Sequence, residues 1–195
     1  MTEPRFVHLR LHTEYSLLKG AVRLKTLPDL CRQAGMPAVA VTDTANMFCA
    51  LEFSVAAMGA GIQPIIGCEV PVALPREERP GQRQSLDRPG AVVLLAQSEA
   101  GYMNLMKLNS CLYLRGDGQE PHVTIEELER HAEGLICLTG GPDGPAGRLL
   151  QDGKRPEAEA LIRRLSATYP TRLYVELQRH PEEEGNWAPE RATER

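Results

Sequence analysis

Three residues that can bind a divalent metal or transfer a proton lie at or near the ends of short apolar segments. They are His12, Asp43 and Glu69. In a parallel βα barrel the C-terminal ends of the strands converge on one face, so the three side chains could meet there. A His, an Asp and a Glu brought together could bind a metal ion or form an acid and base pair. Residues of these types at strand ends more often make helix-capping or loop hydrogen bonds, and spacing alone leaves both interpretations open.

Hydrophobic periodicity predicts the elements that must position these residues. The predicted strands cover residues 6–11, 38–41, 62–72, 91–96, 135–138 and 173–177, and the predicted helices cover residues 26–34, 46–58, 99–114, 125–131 and 156–168. Thr124 and Glu127 have the spacing of a capping box at the start of the fourth helix. This alternation, with Gly and Pro between the elements, indicates parallel βα units and an α/β fold. Residues 74–90, rich in Pro, Arg, Glu and Gln, are predicted to form an exposed loop or insertion.

Other chemistries find less support in the sequence. Ser16 and Ser54 have no plausible local His and acid arrangement, so a serine nucleophile is not indicated. Neither of the common phosphate-binding glycine motifs occurs, which argues against a P-loop or Rossmann nucleotide site. His180 ends the last predicted strand and could join the same face as His12.

Composition narrows the class of protein further. The 195 residues are 42% hydrophobic and 25% charged, as in an ordinary globular domain, and the net charge of −4 does not provide the basic field that holds nucleic acid. Five cysteines occur singly, which is typical of thiols in a reducing compartment. No run reaches the 18 apolar residues of a membrane span, and no signal peptide is evident. We therefore expect a soluble cytoplasmic protein that does not contact a membrane.

Six blocks of sequence, in order, resemble the PHP (polymerase and histidinol phosphatase) domain found at the N-terminus of the alpha subunit of bacterial DNA polymerase III. The blocks are HLRLHTEYSLLKGA at residues 8–21, GMPAVAVTDTANMFCALEF at 35–53, GIQPIIGCEV at 61–70, LLAQSEAGYMNLMKLNS at 94–110, HAEGLICLTGG at 131–141 and LYVELQRH at 173–180. Together they cover nearly the whole chain. An ordered set of six blocks is more specific than any one motif.

The resemblance implies a distorted (βα)7 barrel with its site at the C-terminal ends of the strands. It implies that residues 1–195 form one PHP domain that is incomplete at its C-terminus, truncated before its last strands, and that the polymerase domains lie outside this chain. Metal-competent members hold up to three divalent ions and hydrolyse phosphoesters, including by 3′→5′ exonuclease activity. His12, Asp43 and Glu69 match ligands of the family.

Five other positions depart from the family's pattern. Arg10 replaces the first His of a His-x-His motif, Lys19 replaces an Asp, Thr44 replaces the His of Thr-Asp-His, Gly141 replaces the Cys of a Ser-Gly-Cys turn, and Cys111 replaces a His of some active members. A guanidinium cannot give up its proton to become a ligand. Two cations among the ligand positions also repel metal ions. We expect Arg10 and Lys19 to pair with Asp43 or Glu69; the alternative is that these side chains are solvated and make no mutual contact.

The resemblance thus leads to two functional predictions. The first is a non-catalytic domain that stabilises the polymerase, binds the separate proofreading exonuclease subunit within the polymerase III holoenzyme, reaches DNA only through the parent protein and needs no cofactor. The second is a metal-dependent phosphoesterase or 3′→5′ exonuclease that uses a residual Zn²⁺, Mn²⁺ or Mg²⁺ at His12, Asp43 and Glu69, with help from Cys111 and His180. A stand-alone PHP phosphatase is disfavoured, because the sequence around residues 102–110 is of the replicative type and the expected C-terminal strands are missing.

Overall fold

The computed structural model describes residues 6–74, 89–114 and 120–178. Six strands and six α-helices follow one another along these residues. They are α1 (Leu27–Gln33), β1 (Ala38–Val41), α2 (Ala50–Gly59), β2 (Gln63–Ala73), β3 (Gly90–Ala96), α3 (Glu99–Leu114), β4 (Val123–Thr124), α4 (Ile125–Arg130), β5 (Leu135–Leu138), a 3-10 turn at Gly141–Asp143, α5 (Pro145–Gln151), α6 (Arg155–Thr168) and β6 (Leu173–Tyr174). The predicted loop at residues 74–90 lies almost entirely outside the described residues.

All six strands belong to one mixed sheet. The main path runs β1-β2-β3-β5-β6, and β4 pairs with the far end of β2. The β1–β2, β2–β4 and β5–β6 pairs are parallel, whereas β3 is antiparallel to both of its neighbours. The α/β fold class is confirmed, but the expectation of uniformly parallel βα units is wrong for β3. Hydrophobic alternation shows that a segment is a strand, and it does not show in which direction the strand pairs.

The helices cover the sheet and build two main apolar clusters. The larger cluster packs α3, α4 and α6 against β2, β3 and β5, and includes the fully buried Leu105, Leu128 and Tyr169. A smaller cluster packs α1 and α2 against β1, around Cys31 and Phe53. The two clusters pack against β1 and β2, which pair in parallel up to Val41 and Ile66.

The first predicted strand, residues 6–11, is not a strand in the structure, although it lies beside β1. The backbone amides of Ala40 and Thr42 donate to the carbonyl oxygens of His8 and Leu11, at 2.8 Å each. The amide of Leu11 donates to the Thr42 side-chain hydroxyl at 2.9 Å and not to a backbone carbonyl. A strand ladder needs reciprocal backbone bonds, so this side-chain acceptor interrupts it.

Helix α2 begins at Ala50, four residues later than predicted. The Asn46 side chain accounts for the delay, because it bonds to the backbone on both sides of the turn. Its amide nitrogen donates to the carbonyls of Tyr15 and Thr44, and its oxygen accepts from the amide of Phe48 at 3.3 Å. Asn competes with helical hydrogen bonding in this way. The result is an irregular turn between β1 and α2.

The predicted capping box of α4 is confirmed. The Thr124 hydroxyl accepts from the Glu127 amide at 3.2 Å, and the Glu127 carboxylate accepts from the Thr124 amide at 2.8 Å. We expect Thr124→Ala to lower the free energy of unfolding by about 1 kcal/mol, the usual value for a lost N-cap. Urea unfolding measures the change.

Thr26 provides a matched control for this prediction. It is the N-cap residue of α1, but its side chain makes no capping hydrogen bond to that helix. Thr26→Ala should therefore cost clearly less than Thr124→Ala. Equal losses from the two substitutions would contradict the assigned role of the capping box.

Candidate functional site

Four of the predicted site residues meet around the carboxylate of a fifth, Glu69. Its Oε2 atom lies 2.7 Å from an Arg10 Nη and 3.1 Å from His12 Nε2, and its Oε1 atom lies 3.2 Å from Lys19 Nζ and accepts from the Thr44 hydroxyl at 3.1 Å. We call these five residues the Glu69 cluster. The expected ion pairs of Arg10 and Lys19 are thus present, and Glu69 is the acid in both.

The side chains of the cluster can contact Glu69 because β2 extends past the end of β1. The parallel pairing of the two strands ends at Val41 and Ile66, so Glu69 lies beyond the last residue of β1 although it is inside β2. The amide of Glu69 donates to the Asp43 carbonyl, and its own carbonyl accepts from the amide of Ala45. These bonds fix the carboxylate beside the turn that follows β1.

The surroundings of Glu69 favour its charged form. Its side chain is only 5% exposed, and burial would raise the pKa of its carboxyl group. The hydrogen bond from His12 and the positive charges of Arg10 and Lys19 outweigh burial and hold that pKa well below its ordinary value. Glu69 is therefore a carboxylate whose negative charge is neutralised by side chains of the protein itself.

Asp43 is buried, and its hydrogen-bond partners differ from those of Glu69. Its Oδ1 atom accepts from the amide of Thr13 at 2.7 Å and from the Ser16 hydroxyl at 2.6 Å. Its Oδ2 atom accepts from the Thr13 hydroxyl at 2.7 Å and from the Cys49 thiol at 3.2 Å. Among the described contacts, Asp43 has no ion pair with Arg10 or Lys19. Four neutral donors thus satisfy this carboxylate.

The Cys49 thiol remains protonated and is therefore a hydrogen-bond donor to Asp43. Burial, together with the hydrogen bond to the Asp43 carboxylate, raises the pKa of Cys49 to about 12. The sulfur therefore keeps its proton at neutral pH and remains a donor. A thiol in this state is neither a nucleophile nor a metal ligand.

Arg10 also connects the cluster to the other end of the described chain. Its second Nη atom donates to the Glu176 carboxylate at 2.8 Å and lies 3.4 Å from the Gly140 carbonyl. Glu176 follows β6 and was not among the predicted site residues, whereas His180, four residues later, was. Glu176 lies inside the predicted strand of residues 173–177, but β6 ends at Tyr174, so Glu176 follows its strand by two residues, as Asp43 follows β1.

The other predicted positions are placed less centrally. Gly141 is buried in the 3-10 turn, where an added Cβ would lie 3.2 Å from the Gln178 side chain, so it is near Glu176 but provides no donor. Cys111 is half-buried on α3 and packs against the larger core. His180 lies outside the described residues.

The donor set does not suit a divalent metal. Both oxygens of Glu69 already contact cations or hydroxyl donors, and both oxygens of Asp43 accept two hydrogen bonds each. Within residues 6–74, 89–114 and 120–178, no group of three or more His, Cys, Asp and Glu residues is arranged to hold a metal ion. A metal at Glu69 would have to displace Arg10 and Lys19, whose charges oppose its approach.

The lowered pKa of Glu69 predicts a loss of stability in acid. The unfolded chain takes up a proton at this carboxyl near pH 4.3, whereas the folded chain resists protonation until a lower pH. The contribution of Glu69 is therefore fully present above pH 4.3 or so and decreases as the pH falls below it. We expect the free energy of unfolding, measured with urea across this range, to fall more steeply for the wild type than for Glu69→Gln. Parallel curves would contradict the prediction.

The family model and the curated relatives indicate the same family. The family model described as "PHP domain" matches residues 8–180. DNA polymerase III subunit alpha of Caulobacter vibrioides is 44% identical over 176 residues, which is 90% of this chain and 15% of that protein. The corresponding subunits of Pseudomonas aeruginosa and Treponema pallidum are 44% and 40% identical over 89% and 97% of the chain, and over 14% and 16% of their own lengths.

The chain therefore spans only about one seventh of the length of the curated relatives that it matches. Among solved structures, an amidohydrolase from Chromobacterium violaceum with bound sulfate and no metal aligns with a TM-score of 0.46 and 14% identity, covering 87% of this chain and 84% of its own. A likeness at that level assigns no activity. The match over residues 8–180 is decisive on its own: the chain belongs to the PHP domain family, in the form found in DNA polymerase III alpha subunits.

Proposed function

We propose that this chain is a non-catalytic PHP domain of a DNA polymerase III alpha subunit, which stabilises the polymerase and binds the proofreading exonuclease subunit. The observation that carries the proposal is the Glu69 cluster. The charges of Arg10 and Lys19 are in contact with the carboxylate that a metal ion would need. A phosphoesterase of this family without metal would have neither a Lewis acid nor a metal-activated water.

The relatives support the polymerase context. They are named as alpha subunits of DNA polymerase III, a DNA-directed DNA polymerase, and they match this chain over about nine tenths of its length. The activity of such a polymerase would come from other parts of the parent protein, and DNA would be reached through them. No helix among the described residues is long and apolar enough to cross a membrane. A cytoplasmic location is proposed together with this role.

Metal content and hydrolysis together test the inactive state. We expect the purified protein, equilibrated with Zn²⁺, Mn²⁺ or Mg²⁺ and then desalted, to retain less than one ion per chain. We also expect it to leave a 3′-mismatched primer intact. Stoichiometric metal together with primer hydrolysis that EDTA abolishes would favour the alternative, a metal-dependent phosphoesterase or 3′→5′ exonuclease at a residual PHP site.

A rebuilt site supplies the positive control. Arg10→His, Lys19→Asp and Thr44→His, made together, return the family's residue types to three positions around Glu69. This variant replaces two cations by metal donors and is expected to retain more Mn²⁺ or Zn²⁺ than the wild type. Equal retention by the two proteins would show that the cations of the Glu69 cluster are not what excludes metal.

The binding role needs a separate measurement. We expect the proofreading exonuclease subunit to co-purify with this chain when both are expressed together. The full-length alpha subunit serves as the positive control. If the full-length subunit captures the exonuclease subunit and this chain does not, the binding part of the proposal is wrong. The proposal of an inactive site would be unaffected, because it rests on the Glu69 cluster.

A further inference from the structure

Acceptors from three separate segments of the chain surround the guanidinium of Arg10. Its Nη2 atom donates to Glu69 Oε2 at 2.7 Å, and its Nη1 atom donates to Glu176 Oε1 at 2.8 Å and lies 3.4 Å from the Gly140 carbonyl oxygen. Glu69 belongs to β2, Gly140 follows β5 and Glu176 follows β6. We call the two carboxylates and this carbonyl the guanidinium cradle.

Contacts with other residues position both carboxylates of the cradle. The side-chain amide of Gln178 donates to Glu176 Oε1 at 2.9 Å, and the backbone amide of Glu176 donates to the Thr139 hydroxyl at 3.0 Å. The backbone amide of Glu69 donates to the Asp43 carbonyl at 3.0 Å. The acceptors of the cradle are therefore held in place by bonds that do not involve the guanidinium.

The charges around the cradle call for one monovalent cation. The side chains of Glu69 and Glu176 are only 5% and 15% exposed, and Lys19 supplies one positive charge at Glu69. With His12 counted as neutral, two negative charges and one positive charge leave one negative charge in excess when Arg10 is set aside. A buried charge without a partner is costly. One positive charge balances the excess, whereas a divalent cation brings one charge too many.

The shape of the cradle suits a planar cation. A guanidinium presents its N–H donors in a fixed fork, and Arg10 uses a different nitrogen for each carboxylate. Burial alone would lower the pKa of Arg10, but the hydrogen bonds and negative charges of Glu176 and Glu69 raise it, so the group stays charged. An ammonium is a compact point charge, and that of Lys19 contacts Glu69 alone of the two carboxylates.

We propose that the guanidinium cradle is a binding site for a planar monovalent cation, and that the side chain of Arg10 is its permanently attached ligand. The bound guanidinium ties β2 to the segments that follow β5 and β6, as a structural metal ion ties together the segments that supply its ligands. Glu176 is the residue that positions the guanidinium over Glu69. This inference deepens the inactive-site part of the proposed function and rests on the same Glu69 cluster.

Chemical rescue of Arg10→Ala tests the cradle. The substitution removes the guanidinium and leaves both carboxylates in place. We expect the Tm of this variant to rise with added guanidinium chloride, at concentrations well below those that denature proteins, because a ligand that binds only the folded state stabilises it. Sodium chloride at the same concentrations should give a smaller rise, because sodium screens charge without donating hydrogen bonds.

Three further proteins serve as controls. The wild type, whose cradle is occupied, should show no rise in Tm, and neither should Arg32→Ala, which removes a guanidinium from an exposed pair with Asp29. Arg10→Ala combined with Glu176→Gln should lose most of the rescue, because the cradle then lacks one carboxylate. The proposal is wrong if Arg10→Ala responds like the wild type or if the two salts act equally. Undiminished rescue in the combined variant would remove Glu176 from the site.

A second variant decides the case in which Arg10→Ala does not fold in plain buffer. Folding that requires guanidinium, followed by far-ultraviolet circular dichroism, supports the proposal directly. If the chain folds in neither condition, Glu69→Gln and Glu176→Gln are added to Arg10→Ala. This triple variant should fold, because a cradle without carboxylates needs no cation. A triple variant that stays unfolded would overturn the proposal.

The rescue experiment and the metal experiment fail separately. Absence of rescue, with no metal retained by the wild type, would overturn the cradle and leave the proposed inactive site intact. Stoichiometric metal and primer hydrolysis by the wild type would overturn the inactive site whether or not Arg10→Ala is rescued.

Discussion

Asp43→Ala is expected to lower the free energy of unfolding by about 4 kcal/mol, which is the largest effect we predict for a single substitution in this chain. The carboxylate is 1% exposed and accepts four hydrogen bonds. Its removal leaves the amide and hydroxyl of Thr13, the hydroxyl of Ser16 and the thiol of Cys49 in a site that water does not reach. Each unsatisfied buried donor costs about 1–3 kcal/mol, less what local rearrangement recovers.

Two comparisons separate this effect from the general cost of losing an aspartate. Asp29→Ala removes a carboxylate from an exposed pair with Arg32 and should cost under about 1 kcal/mol. Ser16→Ala removes one of the four donors and also the acceptor of the Thr44 amide, so it should cost about 2 kcal/mol, which is less than Asp43→Ala because the carboxylate keeps three partners. Urea unfolding at neutral pH gives all three values. An Asp43→Ala loss no larger than that of Asp29→Ala would show that the four bonds do not stabilise the fold.

The sequence predicted the well-patterned elements closely. Strands β1 and β5 and helix α3 have the predicted bounds, because each is a clear apolar run or a long periodic helix with Gly, Pro or polar residues at its ends. The failures have specific causes. A single hydroxyl, that of Thr42, interrupts the predicted strand at residues 6–11, and a single amide, that of Asn46, delays α2. Hydrogen bonds of this kind depend on side-chain orientation, which hydrophobic patterning does not encode.

For the site, as for the fold, sequence patterns predicted which residues are involved but not how their side chains are arranged. Strand ends suggested that His12, Asp43 and Glu69 lie near one another, and family positions added Arg10, Lys19 and Thr44. Neither source could show that Glu69 receives all of the cations while Asp43 is saturated by neutral donors. The difference lies in the partners that each carboxylate reaches: Asp43 accepts from Thr13 and Ser16, whereas Glu69 contacts Arg10 and Lys19.

Arg10→Met should produce the second largest effect, a loss of about 3 kcal/mol in the free energy of unfolding. Arg10 donates to Glu69 with one Nη atom and to Glu176 with the other, so it joins residues 59 and 166 positions away in the chain. Removing one partner of a buried ion pair costs about 3–5 kcal/mol, and the lower end applies here because the Arg10 side chain is 21% exposed. Methionine keeps most of the aliphatic volume, so the loss measures the guanidinium.

Arg10→Lys and a double-mutant cycle show which part of the guanidinium matters. Lysine keeps the charge but has a single side-chain nitrogen, so it cannot donate to Glu69 and Glu176 in two fixed directions. It should therefore recover only part of the loss. Arg10→Met and Glu176→Gln, made singly and together, give the coupling energy between the two side chains. Since Glu176 Oε2 has no hydrogen-bond partner among the described residues, the bond from Arg10 to Oε1 is the ion pair that compensates the burial of this carboxylate. We therefore expect a coupling of about 1–2 kcal/mol, and a value near zero would show that Arg10 acts through Glu69 alone.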